Sequence, residues 1–250
     1  RTLTSKNRGT FDPDCAAKRV NRNLSMGLTN TEWTAVVLSI RVALVAVLIS
    51  LPFGIAVGWL LARREFRGKW AIETLVNLTL VLPPVVTGYL LLRMFGRRTW
   101  FGMWLQDTLG IELAFTWWAA AIASAALGFP LMVRAIRLAF RGVDTRLEDA
   151  ARSLGSSPFD SFWRVSLPLA RGGIISGTVL AFARSLGEFG ATITFAGNIP
   201  GATQTLPLAV FSEMNRADGD GTFRLAIVSV VLAGVALATS EWWERRGAGP

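Results

Sequence analysis

From Trp33 to Leu61 the chain is apolar almost without interruption, and Arg41 is the one charged residue in that stretch. The run is long enough to cross a hydrocarbon layer of about 30 Å with tilt to spare. Inside lipid no water satisfies backbone N–H and C=O groups, so a single crossing segment of this kind must be helical. Arg63, Arg64, Arg67 and Lys69 follow directly. Basic residues collect on the cytoplasmic flank, which orients this helix with its end inside and its start outside. No small-residue cleavage site follows, so the segment reads as a retained helix and not a removable leader. Arg41 lies about 12 Å in from Trp33. It either snorkels to the outer interface or serves an anion path.

The remaining chain repeats the pattern. A second apolar segment, 70–94, contains Pro83-Pro84 with Thr87 and Gly88 one turn on. Consecutive prolines remove backbone donors, and a membrane tolerates the break only where protein or water satisfies the freed carbonyls. Substrate contact and a simple packing kink are both open readings of it. A loop rich in Trp, Phe and Gly, Gly96 to Phe115, suits the outer interface. Trp117 to Val133 is a third span with many small residues, followed by Arg134, Arg137, Arg141 and Arg146. A fourth, 172–196, carries Arg184 and Glu188. A second outer loop, Asn198 to Gly221, is either part of a protein-binding face or a solvated hairpin with a re-entrant piece. The fifth span, 223–242, ends at Arg245 and Arg246. The expected fold class is therefore an all-α integral membrane protein of about five transmembrane helices, with the N-terminus outside and the C-terminus inside.

Composition narrows the function. Hydrophobic residues make up 52% and charged ones 17%, with a mean hydropathy of +0.43, far from a soluble domain. Histidine is absent and Cys15 is the only cysteine. The commonest general base and metal ligand is thus missing, which disfavours a hydrolytic or metal-centred enzyme. Of the net charge of +9, the first 25 residues contribute +4. This leader, 1–25, has no hydrophobic periodicity and is expected to be a disordered basic extension; it lacks the interleaved aromatics of a nucleic-acid arm. Residues 247–250 form a short tail.

The longest polar stretch between apolar ones is Leu147 to Pro168. Leu147, Ala150, Ala151 and Leu154 recur at the spacing of one helix face. Gly155 sits where it would stop that helix, and Ser157-Pro158 supplies a hydroxyl cap and a first-turn proline for the next one. Phe159, Phe162 and Trp163 then give the second helix its own apolar face. The spacing predicts a short, water-exposed helix-turn-helix with two apolar faces, which taken alone reads as an amphipathic connector on the membrane surface.

A resemblance favours docking. Asp149-Ala150-Ala151, three residues, Gly155, nine residues, Val165, one residue, Leu167-Pro168 resembles the EAA loop of ATP-binding cassette importer permeases. Asp149 replaces the usual Glu and Val165 the usual Ile, keeping charge and shape. The resemblance implies a type I importer permease fold and a coupling loop that docks on an ATPase subunit through Glu148, Asp149, Ala150, Ala151, Gly155, Ser156, Leu167 and Pro168. The stretches LPFGIAVGWLLAR, VLPPVVTGYLLL, FPLMVRAIRLAF, ARSLGEFGAT, ITFAGNIPG and QTLPLAVF look like the molybdate branch. That branch implies a permease homodimer, a cytoplasmic ATPase dimer that binds ATP-Mg, a periplasmic molybdate-binding protein, membrane lipid around the helices and no nucleic acid. No glycine-rich phosphate loop ending in Lys-Ser or Lys-Thr occurs in this chain, so no cofactor is expected in it and the subunit is not itself an enzyme. Sulfate, thiosulfate or tungstate permeases would need nearly the same residues; a channel or membrane anchor would leave the loop spacing unexplained.

Within the fourth span Arg184 and Glu188 are four apart, on one helix face, and lie about 18 to 24 Å along it. At that depth they are either functional or a structural ion pair. An anion path calls for hydroxyls, backbone amides and a cation, which nominates Thr87, Ser185, Thr192 and Thr194 beside Arg184 and Glu188.

Overall fold

The computed structural model describes residues 28–216 and 220–247. The leader at 1–25 and the tail beyond 247 lie outside the described residues. The described chain is helical: α1 (Asn30–Arg63), α2 (Lys69–Val81), α3 (Pro84–Phe95), α4 (Trp100–Leu109), α5 (Trp117–Gly142), α6 (Thr145–Ser153) and α7 (Pro158–Ser161). A π-helical turn (Phe162–Ser166) leads into α8 (Leu167–Leu169), α9 (Arg171–Leu186), α10 (Gly190–Phe195), α11 (Leu206–Met214) and α12 (Asp220–Gly247). Among the described residues α1, α5 and the Gly221–Thr239 part of α12 are each long and apolar enough to cross a membrane. Two pairs of helices joined at sharp bends bring the number to as many as five.

Helix α1 begins with a capping box. Thr29 Oγ1 accepts from Glu32 N, and the Glu32 carboxylate accepts from Thr29 N at 2.7 Å, so two otherwise orphaned donors are satisfied at once. The close partner of α1 is α5, and small residues allow their approach. A methyl group at Gly58 would stand 2.7 Å from Ile136 Cγ2, and one at Gly54 2.7 Å from Met132 Sδ. On α5, Ala119, Ala120, Ala121 and Ala123 are all buried. Lipid offers no hydrophobic drive for helix pairing, so such close contact supplies the dispersion energy instead. The same device brings α9 onto α5, with Gly173 and Gly177 set against Ala139 and Ala135.

Three buried clusters follow along this framework. One end of α5 packs with α3 and α10 through Ala121, Leu127, Ala191 and Phe195. The other end holds Met132, Ile136, Phe140 and Val143 together with Trp59, Phe162 and Leu167. Ala35, Val36, Leu206, Ala209 and Leu225 join α1, α11 and α12.

Several expectations change. The segment 70–94 is not one kinked rod: α2 and α3 meet at Leu82-Pro83 with a bend of 115°, because Pro83 and Pro84 both lack the N–H needed to continue α2. The third helix does not stop at Val133 but runs to Gly142. Arg134 and Arg137 are therefore helical residues, and each has a partner on α2: Arg134 Nε donates to Asn77 Oδ1 (2.8 Å) and Arg137 Nη2 to Glu73 Oε1 (2.6 Å). The segment 172–196 is also divided, since α9 ends at Leu186 and α10 starts at Gly190. Arg41 lies with its guanidinium carbon 4.1 Å from the ring centroid of Trp117, the first residue of α5. Its stem reaches the start of the neighbouring helix, where a cation–π contact holds the charge. Finally, the stretch after Asn198 is packed rather than a free hairpin. Leu206 N donates to the buried Ser39 hydroxyl of α1 at 2.6 Å, and Thr203 and Leu208 are buried.

Candidate coupling loop and embedded polar site

Asp144 caps α6, its carboxylate accepting from Arg146 N at 2.9 Å. The helix ends as the sequence predicts: Gly155 adopts φ +93°, Gly155 N bonds Arg152 O and Ser156 N bonds Ala151 O. A left-handed residue at this point closes the last turn and reverses the chain, and glycine takes it without the steric cost of a Cβ. Ser157 then caps α7, accepting from Asp160 N at 3.1 Å, with Pro158 in the first turn. Pro168 lacks an N–H, and just before it Leu167 N bonds Phe162 O five residues back. That wide turn is the π segment, a local solution to the missing donor.

The loop is rooted by Phe162 and Leu167. Phe162 meets Trp59 edge-on at 5.5 Å and Phe140 at 6.0 Å, and Leu167 packs in the same cluster. The rest of its apolar surface faces outward. Leu147, Leu154, Phe159 and Trp163 are all exposed, Leu154 by 89%. Asp149, Ala150, Gly155 and Pro168 are exposed as well, while Ala151 and Ser156 are half-buried. An exposed apolar patch flanked by polar residues suits contact with another protein or with a membrane surface. Glu148 differs from its neighbours. It is turned inward, 2.7 Å from Arg63 Nη2, and accepts from Ser166 Oγ at 2.8 Å. The sequence marks Arg63 only as part of the basic cluster after the first span and Ser166 only as a residue of the loop, and no spacing pairs either of them with Glu148.

The second site is where the two broken segments meet. Arg184 Nη1 pairs with Glu188 Oε2 at 2.7 Å, as the spacing predicts. The pair does not lie along a continuous helix, however. Gly187 closes α9, and the other carboxylate oxygen of Glu188 accepts from Ala191 N at 2.9 Å, tying the start of α10. Glu188 is only 3% exposed, and a buried carboxylate needs this combination of a cation and an amide donor. Against α10 packs α3. A methyl group at Gly88 would stand 2.6 Å from Ala191 O, and one at Gly190 2.8 Å from Pro84 Cβ. The starts of α3 and α10 are thus in contact.

The nominated hydroxyls sit around this junction in different roles. Thr194 Oγ1 donates to Gly190 O within α10 at 2.9 Å. Ser185 turns toward α5 and its hydroxyl lies 3.4 Å from Ser124 O. Thr87 and Thr192 are buried, and among the described residues their hydroxyls have no hydrogen-bond partner. Arg184 is the charged member of the group with appreciable exposure, at 32% of its side chain.

Residues 50–246 match the family described as "Binding-protein-dependent transport system inner membrane component". The chain is 55% identical to the molybdenum transport system permease protein ModB of Escherichia coli K12, over 88% of this chain and 96% of that one. Identity to the Haemophilus influenzae ModB is 47%, covering 86% and 94%. A sulfate transport permease of Synechocystis, CysW, is 33% identical over 89% and 80%. Among solved structures, a bacterial alginate ABC transporter in complex with its periplasmic protein shares the fold at 14% identity. Its TM-score is 0.71, over 95% of this chain and 89% of the other. The chain therefore belongs to the inner membrane components of binding-protein-dependent transport systems, in the branch of the molybdenum transport permeases.

Proposed function

We propose that this chain is the membrane-spanning subunit of an ATP-driven importer that carries molybdate inward across the bacterial cytoplasmic membrane. Two copies line one path, a pair of ATPase subunits docks on their coupling loops and binds ATP-Mg, and a periplasmic protein delivers the oxyanion. The observation that carries this reading is the outward apolar face of the loop at Leu147, Leu154, Phe159 and Trp163, on the EAA spacing, in a chain that is 55% identical to a molybdenum permease. The Arg63 guanidinium bonds the Val143 carbonyl at 2.9 Å and pairs with Glu148. The basic end of α1, the end of α5 and the loop thus form one end of the molecule, which supports a cytoplasmic assignment for that end by the positive-inside rule.

Mechanistically, closure of the ATPase pair pulls on a rigid loop anchored by Phe162 and Leu167. The movement passes to α1, α5 and α9, whose close glycine and alanine contacts transmit displacement as packed bodies rather than by bending. At the helix junction Arg184 offers a cation already paired with Glu188, so it attracts an oxyanion without trapping it. The greater identity to molybdenum permeases than to the sulfate relative favours molybdate over sulfate.

The decisive experiment is ATP hydrolysis and uptake by the complete complex in liposomes, with the binding protein loaded with molybdate, tungstate or sulfate, comparing wild type with Gly155→Asp. Molybdate should stimulate both, and the substitution should reduce uptake at least about tenfold, the effect of roughly 1.4 kcal/mol. Stimulation by sulfate alone would reassign the substrate, and uptake independent of nucleotide would remove the importer reading.

A further inference from the structure

Glu148 stands beside the docking residues in sequence yet is withdrawn from the docking surface. Its side chain is 13% exposed and that of Arg63 11%. Around the carboxylate three segments converge. Arg63, the last residue of α1, brings Nη2 to 2.7 Å from Oε1. Ser166, at the end of the π-helical turn, donates its hydroxyl to the same oxygen at 2.8 Å. The same Arg63 nitrogen also donates to the carbonyl of Val143, just before α6, at 2.9 Å. Glu148 itself is in the first turn of α6. One ion pair therefore ties the first membrane helix to both halves of the coupling loop.

We propose that Arg63, Glu148 and Ser166 form a positioning clamp that conveys displacement of the docking helix to α1, and that Glu148 makes no contact with the ATPase. This inference rests on the importer reading. Phe162 and Leu167 already root the second half of the loop in the core, but α6 has no buried residue of its own. Its attachment to the body of the protein is polar, and Glu148 is its half-buried acidic member. A short charge-assisted contact between groups this well shielded is stronger and more directional than a surface pair. Arg63 Nε is buried without a partner, so the guanidinium retains a donor that a small shift of α6 can engage. Breaking the clamp should leave the apolar docking face intact and uncouple it from the helices.

The test is a double-mutant cycle on the complete complex in liposomes, reading uptake per ATP hydrolysed together with co-purification of the ATPase. Glu148→Gln and Arg63→Gln should each lower uptake per ATP by about fivefold or more, while the double variant loses no more than the worse single one, as coupled partners do. Co-purification should stay at wild-type level in all three. Ser166→Ala, the mildest change, should give a smaller loss in the same direction. Two results overturn the clamp: additive losses in the cycle, or loss of ATPase co-purification by Glu148→Gln, which would make Glu148 a docking contact. If the Gln variants do not assemble, Ser166→Ala decides, and unchanged uptake per ATP there refutes the proposal. Wild-type uptake without any nucleotide dependence would instead refute the importer reading, and is recognised before any variant is measured.

Discussion

At Gly155 a single residue sets the shape of the coupling loop. Its φ of +93° is reached at no steric cost by glycine, and nothing stands within 4 Å of where a Cβ would be. Side-chain volume is therefore irrelevant there and backbone conformation is decisive. Gly155→Ala is expected to destabilise the turn by about 1 to 2 kcal/mol. Gly155→Asn should be milder than Ala despite its larger side chain, because asparagine tolerates the left-handed region; ATP-coupled uptake of the two variants checks the order. Glu65, between α1 and α2, shows a different kind of residue effect. The hydrogen bond from Lys69 Nζ, with the charge of Lys69 next, lowers its carboxyl pKa below the usual 4.5. A lowered pKa means that folding favours the carboxylate, so the contribution is present at neutral pH and fades as pH falls through the lowered value. Glu65→Gln should accordingly differ from wild type in thermal stability at pH 7 and converge with it in acid, by a small amount because Glu65 is fully exposed.

Between elements, the contact of α3 with α10 leaves no room for a side chain at Gly88. Both helices start at breaks, one made by Pro83-Pro84 and the other by Gly187 with the Glu188 carboxylate, and they touch where Gly88 meets the backbone of Ala191. Since the obstructing atoms are backbone, Gly88→Ala cannot be absorbed by a rotamer change. Such overpacking typically costs about 1 to 3 kcal/mol. The variant should lower the melting temperature of the detergent-purified complex and reduce uptake, whereas alanine at Gly142, where a Cβ meets nothing, should do neither. The same comparison shows what periodicity misses. Spacing alone predicts an Arg184–Glu188 pair on a helix, and the pair exists, but the helix ends beneath it. A carboxylate that accepts an amide from the next helix is not visible as a pattern of apolar and polar residues.

For the whole molecule, the basic end of α1, the loop and the end of α5 share one face, and the proposed orientation puts that face in the cytoplasm. In a Cys15→Ser background, Arg152→Cys on the loop should react with a membrane-impermeant thiol reagent only after permeabilisation, and Arg98→Cys, between α3 and α4, in intact spheroplasts. The opposite pattern would invert the topology and with it the side on which an ATPase docks. Both positions are exposed in the described chain, so with the permease expressed without its ATPase partner access is decided by the bilayer and not by packing.

Apolar length, arginine clusters and the spacing from Asp149 to Pro168 are local properties, and they sufficed for the helical class, the long helices, the turn at Gly155 and the cap at Ser157. Each of those depends on chemistry within a few residues: backbone satisfaction in lipid, left-handed glycine, a hydroxyl on an amide. Tertiary structure alone decided which faces are turned inward. It withdrew Glu148 from the exposed face of the loop toward Arg63, buried Thr87 and Thr192, and held Arg41 on Trp117. Those outcomes depend on partners distant in the chain, whose approach is governed by glycine and alanine contacts between helices, and no window of neighbouring residues contains them.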